Sequence, residues 1–243
     1  MQIKPVSSIV HTKLAKILLY GGPGTGKTPI CANVPDTVMC ITEPGTLSIK
    51  KCNVDVAECY TTKDINDFFT WLKSDTKEKQ KYKNVCIDSV SEMCAIHIRE
   101  SEVRGSKSGG EAHGLKVYGD MAKAVLRDLI YLNQNKEFNV FLIAKRGEVD
   151  FEGITKFRPY FPGKQLTIEV PHLFDEIFHL DRTQGKWEFP DNIPALVNDL
   201  PRKTVPAILT RESNIFTARD RSGVLNAVEY PDLSYVLYKI ANF

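Results

Sequence analysis

The run from Gly21 to Thr28, GGPGTGKT, satisfies G-x-x-x-x-G-K-[ST]. That spacing builds a phosphate cradle. Glycines let the backbone turn successive N–H groups inward around an anion, the lysine reaches the outer phosphates, and the hydroxyl is set to ligate Mg²⁺. Gly22, Pro23, Gly24, Thr25, Gly26, Lys27 and Thr28 are therefore expected to hold a nucleotide, with Lys27 on the β- and γ-phosphates and Thr28 on the metal. Pro29 follows immediately. A proline in the opening turn of a helix breaks no helical hydrogen bond, because the first four N–H groups have no intrahelical partner. Loops of this kind often donate the next residue's N–H to the α-phosphate, however, and proline has none. The loss of one hydrogen bond to a charged acceptor is worth on the order of 1.5–3 kcal/mol. Nucleotide binding is expected to survive, weakened, and to lean on the β/γ-phosphates and the magnesium.

Two carboxylates stand where such a cradle needs them. Asp88 ends the apolar run NVCID, and an aspartate at the carboxyl end of a parallel strand near the phosphates can hold Mg²⁺ through its water shell. The alternative is an N-cap for the following helix. Glu43 ends TVMCIT and opens the turn EPGT, where it can orient and activate an attacking water; the alternative is an ordinary surface glutamate.

The elements that must position these groups are legible as patterns. KILLY (16–20), TVMCIT (37–42), NVCID (84–88) and NVFLIA (139–144) are short apolar runs that predict buried parallel strands. Residues 62–73 carry Ile65, Phe68, Phe69 and Leu72 at helical spacing behind a Thr61/Asp64 cap, and 118–132 carry Tyr118, Met121, Val125, Leu129 and Leu132. Alternating strands and helices predict an α/β sheet covered on both faces. After residue 145 the rhythm changes. Residues 145–172 read as loop, 172–180 as a strand, the proline-rich stretch 181–220 as antiparallel hairpins at one sheet edge, and 232–241 as a last helix with Leu233, Val236, Leu237 and Ile240 on one face. One domain over 1–243 is expected, with an N-terminal arm (1–15) and C-terminal hairpins and helix (181–243).

Composition narrows the class. A net charge of +2 disfavours a uniformly basic nucleic-acid coat but leaves room for a local groove. The six cysteines include no C-x-x-C pair and several fall in apolar runs, so reduced, mostly buried thiols and a cytoplasmic location are expected. The five histidines form no metal-ligand spacing. No apolar run approaches the ~20 residues of a membrane span, and the N-terminus lacks a signal-peptide core, so no membrane partner is expected.

The motifs GGPGTGKT, ITEPG, VCIDSVSEM, FRPYFPGK, LFDEIFHL and FTARDRSG together resemble the RecA-like P-loop ATPases of bacteriophages, over roughly residues 14–225. Some members of that family are implicated in single-strand annealing and homologous recombination. The resemblance implies a RecA-like P-loop NTPase core of mainly parallel sheet flanked by helices, with antiparallel hairpins at the C-terminal edge, using ATP and Mg²⁺. It implies Lys27 and Thr28 as nucleotide and metal contacts, Asp88 as the second magnesium carboxylate, Glu43 as catalytic base and the strand end FLIAK as γ-phosphate sensor. Lys145 occupies that sensor place, where relatives usually have a neutral polar side chain.

By the same resemblance, the loops that face DNA correspond to 99–116 and 145–164. The first offers Arg104 and Lys107, the second Arg146, Lys156 and Arg158 with Phe157, Tyr160 and Phe161 interleaved. Aromatics beside cations suit a single-strand groove, while an ordinary solvated loop is the alternative. A cation from a neighbouring copy could complete the site, with Arg158 and Lys164 leading and Arg219 and Arg221 behind them; surface cations or internal salt bridges are the alternative. The expectation is a homo-oligomeric ATPase acting on single-stranded DNA. A nucleotide-gated binding module with little turnover is the second reading. A small-molecule kinase is the third, disfavoured because no arginine-rich lid is evident.

Overall fold

The structure, a computed structural model, describes residues 14–107, 114–151, 153–197 and 203–242. Most of the expected N-terminal arm, residues 108–113 of the first basic segment and residues 198–202 of the C-terminal region therefore lie outside the described residues.

The central strand β1 (Lys16–Gly21) is buried along its length, and its side chains alternate between two cores as the pleat requires. Leu18 and Tyr20 enter one core; Ile17 and Leu19 enter the other. After the phosphate loop come a six-residue helix α1 (Lys27–Ala32), strand β2 (Thr37–Ile41) and the short edge strand β3 (Asp55–Glu58). Helix α2 (Thr62–Lys73) starts on the predicted capping box, in which Thr61 accepts from the Asp64 N–H and Asp64 accepts from the Thr61 N–H. Strand β4 (Asn84–Asp88) leads into the long helices α3 (Val90–Lys107) and α4 (Gly114–Gln134), and β5 (Asn139–Phe151) follows. Then come β6 (Ile154–Pro159), α5 (Lys164–Leu173), β7 (Glu176–Gln184), and the hairpin β8 (Lys186–Glu188) and β9 (Ala195–Val197). Strands β10 (Thr204–Leu209), β11 (Arg219–Asp220) and β12 (Val228–Glu229) precede helix α6 (Leu233–Ala241).

The main sheet runs β12-β10-β7-β1-β5-β4-β2-β3, with β6 paired to β5 and β11 to β7. From β7 to β3 the strands are parallel, and β10, β11, β12 and β6 pair antiparallel. Helices α2 to α5 cover one face and α1 and α6 the other. This is the expected α/β architecture with antiparallel strands at the C-terminal edge. Leu233, Val236, Leu237 and Ile240 pack from α6 as their spacing predicts, and all six cysteines are free, five of them buried.

Four local expectations are corrected. The span 145–172 is not a loop: β5 continues past the sheet and turns back as β6, and α5 follows. Gly147 permits this return, since a Cβ there would stand 3.2 Å from that of Tyr160. The strand expected from 172 begins at Glu176, because residues up to Leu173 complete α5 with Pro171 in its last turn. The first basic segment is helical on both sides of its undescribed stretch, through Lys107 and from Gly114. On α4 the buried stripe uses Val117, and Tyr118 is exposed.

Candidate active site

Strand register brings the site together. Gly21 of β1 pairs with Lys145 of β5, Ile143 of β5 with Asp88 of β4, and Asp88 with Ile41 of β2. The carboxyl ends of four parallel strands thus converge, the place where open α/β sheets bind ligands. Between them lies a cavity of about 460 Å³ lined by Gly21, Pro23, Lys27, Thr28, Glu43, Asp88, Lys145 and Arg146 among others. That volume lies within the range of about 300–1,000 Å³ typical of small-molecule sites.

The loop conformation explains its glycines. Gly24 and Gly26 have φ of 71° and 90°, left-handed values that side chains resist, and a Cβ on Gly21 would stand 2.5 Å from the Leu180 carbonyl oxygen. Thr25 donates its hydroxyl to the Gly22 carbonyl at 2.9 Å. Lys27 Nζ folds back onto the Gly21 and Gly22 carbonyls at 3.0 and 2.7 Å. Burial lowers the Lys27 pKa, and the facing carboxylates Asp88 and Glu43 oppose that shift.

Asp88 and Thr28 line the same cavity, and the Thr28 hydroxyl favours the charged form of the Asp88 carboxyl. The capping alternative falls to its neighbour, because the Ser89 hydroxyl accepts the Glu92 N–H at 3.2 Å. Burial pushes the Asp88 carboxyl up; Thr28 opposes this, Glu43 adds to it and Lys27 opposes it. A half-buried carboxylate crowded by a second one, with a threonine hydroxyl alongside, is a hard-oxygen donor set. It fits Mg²⁺ through direct or water-mediated contact.

Glu43 accepts the Ser89 hydroxyl at 2.7 Å, and the same carboxylate oxygen lies 3.2 Å from Lys145 Nζ. Lys145 also pairs with Glu92 at 2.9 Å, and Glu92 with Arg99 at 2.8 Å. Burial works against the charged Lys145, but Glu92 and Glu43 prevail and raise its pKa. Lys145 is therefore built into a chain of charges beginning at Glu43. Sequence reading missed Glu92 and Ser89, although the S-x-x-E spacing of SVSE just after Asp88 was a signal that both would sit in the first turn of a helix.

The other singled-out residues are distributed unevenly. Pro29 is the third residue of α1, where the helix bonds around it, Ile30 N–H to Gly26 and Asn33 N–H to Pro29, are intact. Pro29→Ala is thus expected to leave the fold unchanged and to tighten ATP binding about tenfold, the worth of one regained charge-assisted bond; equal or weaker affinity by titration calorimetry would refute the α-phosphate argument. Arg146 lines the cavity, its guanidinium 4.2 Å from the centroid of the Phe157 ring, while the residue stays exposed to solvent. Arg158 faces Gly147 in the β5–β6 register, Lys156 pairs with Glu212, and Lys164 opens α5. Arg104 pairs with Glu100 at 3.3 Å, and Lys107 ends α3. Arg219 is committed to the carbonyls of Pro171 and Phe174 at the end of α5, and Arg221 pairs with Asp175 at 3.3 Å. Both sit toward the start of β7, where Arg219 pairs with Ile177, while Gly21 of the phosphate loop meets β7 three residues further on, at Leu180.

A G-x-x-x-x-G-K-T loop after a central parallel strand, facing a carboxylate on a nearby strand, defines a P-loop NTPase-like domain. The chain belongs to the AAA domain family, whose model matches residues 13–222. It is an AAA-type P-loop ATPase-like domain, a class that binds nucleotide, typically with Mg²⁺. A search of curated proteins gives no match. No helix among the described residues is long and apolar enough to cross a membrane.

Proposed function

We propose that this chain binds and hydrolyses ATP with Mg²⁺ and works as a homo-oligomeric, phage-type recombination or annealing protein on single-stranded DNA in the host cytoplasm. The observation that carries the hydrolytic part is the meeting of Lys27, Thr28, Asp88 and Glu43 in one cavity. Lys27 exchanges the Gly21 and Gly22 carbonyls for phosphate oxygens. Thr28 and Asp88 hold the Mg²⁺, which supplies charge neutralisation on those oxygens when bound. Glu43, oriented by the Ser89 hydroxyl, accepts a proton from the attacking water.

The DNA part rests on the β5–β6 hairpin. It carries Lys156 and Arg158, Tyr160 follows with 47% of its surface exposed, and among the described residues Arg158 has no ion-pair partner. Cations beside an exposed ring suit a single strand. Arg158 and Lys164 are also the cations this reading offers to a neighbouring copy's site.

The Lys145–Glu43 ion pair favours a second reading, a nucleotide-gated binding module. The Glu43 oxygen that takes the Ser89 hydroxyl also pairs with Lys145 Nζ, so that oxygen is occupied until something displaces Lys145. Hydrolysis measured with and without a single-stranded oligonucleotide separates the two. DNA-stimulated turnover supports the recombination ATPase, and substituting Lys156 and Arg158 together by glutamine should reduce the slope of log K against log salt by about 1.4, two contacts at ~0.7 each. Tight nucleotide binding without turnover, with or without DNA, supports the gated module.

A further inference from the structure

Arg146 has a position that neither a DNA surface nor a simple salt bridge explains. It follows Lys145 on β5, and its guanidinium lies 3.6 Å from the point where a Cβ on Gly22 would stand. Lys27 Nζ contacts the carbonyl of that same Gly22 at 2.7 Å. Two cations therefore meet at one residue of the phosphate loop. Among the described residues, the one carboxylate within ion-pair reach of Arg146 is Glu148 at 3.8 Å, and the Arg146 side chain is 31% exposed. Two like charges converging on one loop residue repel each other, and an anion placed between them would attract both. The lysine of such a loop marks the β/γ end of a bound nucleotide. The anion that satisfies both groups is thus the terminal phosphate.

The other side of the guanidinium is fixed as well. It stacks on the ring of Phe157, in the returning strand of the hairpin. Phe157 ties that strand to residues 215–217 and to β1: its N–H donates to the Ile215 carbonyl at 2.8 Å, and its carbonyl accepts from the Thr217 N–H at 2.9 Å and the Tyr20 hydroxyl at 3.1 Å. The base of the hairpin is anchored separately. Tyr160 N–H donates to the Lys145 carbonyl at 2.8 Å, and the Ser91 hydroxyl donates to the Tyr160 carbonyl at 2.8 Å. One arginine thus spans the phosphate cradle and the middle of the hairpin.

We propose that Arg146 is a terminal-phosphate contact supplied by the chain itself, and that its seat on Phe157 makes the β5–β6 hairpin more ordered with a nucleoside triphosphate than with a diphosphate. The inference rests on the ATP-binding part of the proposed function and not on the DNA part. A guanidinium is suited to both tasks, since its fork binds phosphate oxygens while its flat face stays on the ring.

The test compares wild type, Arg146→Ala and Arg146→Lys with ATPγS·Mg²⁺ and ADP·Mg²⁺, reading affinity by calorimetry and amide hydrogen exchange over 146–159 at matched saturation. Arg146→Ala is expected to weaken ATPγS by about 10- to 100-fold and ADP by less than about threefold. In the wild type ATPγS, and not ADP, slows exchange in the hairpin; in Arg146→Ala that difference disappears. Arg146→Lys keeps the charge without the stacked fork, so it recovers part of the affinity and none of the protection. Equal losses for the two nucleotides, unchanged ATPγS affinity, or protection that persists in Arg146→Ala overturns the proposal. Should Arg146→Ala prove unfolded by circular dichroism, Arg146→Lys decides alone, because protection equal to wild type would overturn it. A wild type that binds neither nucleotide overturns the ATP-binding reading together with this inference. A wild type that binds ATPγS while Arg146→Ala matches it overturns this inference alone.

Discussion

Lys27→Ala is expected to lower ATP turnover at saturating nucleotide by ~10²–10³-fold, the usual loss when one preorganised charge-stabilising donor is removed. The reason lies in where the ammonium already is. It sits in the cavity on the Gly21 and Gly22 carbonyls, with Asp88 and Glu43 as its facing charges. It need move only to the adjacent phosphate oxygens, so little reorganisation opposes its action. The substitution leaves two loop carbonyls facing the cavity, where water replaces the lost donor. Phosphate release should fall while the circular dichroism spectrum and melting temperature stay near wild type. Turnover within about threefold of wild type would show that the loop is not the phosphate site.

Glu43→Gln is expected to separate binding from chemistry. Removing a positioned general base costs ~10²–10⁴-fold in rate, whereas ATP affinity should be preserved, since in this reading Lys27 and the loop hold the phosphates and Thr28 and Asp88 the metal. The amide keeps an oxygen for the Ser89 hydroxyl, so the side chain's position is retained while its basicity is lost. Loss of the charge also weakens the tie to Lys145, leaving that lysine with Glu92. Rapid-quench measurement of ADP formation, beside a binding titration, checks both halves. Unimpaired hydrolysis would reduce Glu43 to an anchor for Lys145.

The site was legible in the sequence to the extent that its chemistry is local. GGPGTGKT fixes its own loop geometry, because the left-handed Gly24 and Gly26 and the crowded Gly21 admit no side chain. Asp88 and Glu43 could be placed because strand runs announce their own ends, and parallel strands end on a common side. The strand order was not legible. That β5 lies between β1 and β4, carrying Lys145 and Arg146 to the cradle, is set by long-range pairing that no short window contains. Residues 145–172 misled for a physical reason as well. Gly147, Gly153 and Pro159 read as loop punctuation, and the hairpin's polar, half-exposed strands lack the apolar run of a buried one. Short β3 escaped notice likewise, since an edge strand with mostly exposed residues carries little hydrophobic signal. Arg219 stood among the candidate trans cations because its partners are backbone carbonyls, which no residue type advertises.

The most direct test of the ATPase site is a single-turnover experiment with γ-labelled ATP and Mg²⁺, run on the wild type and Glu43→Gln at equal bound nucleotide. The account predicts that wild type converts its bound ATP to ADP and phosphate while Glu43→Gln retains ATP intact. Wild type that holds ATP unchanged, or two proteins that release phosphate at the same rate, would contradict it.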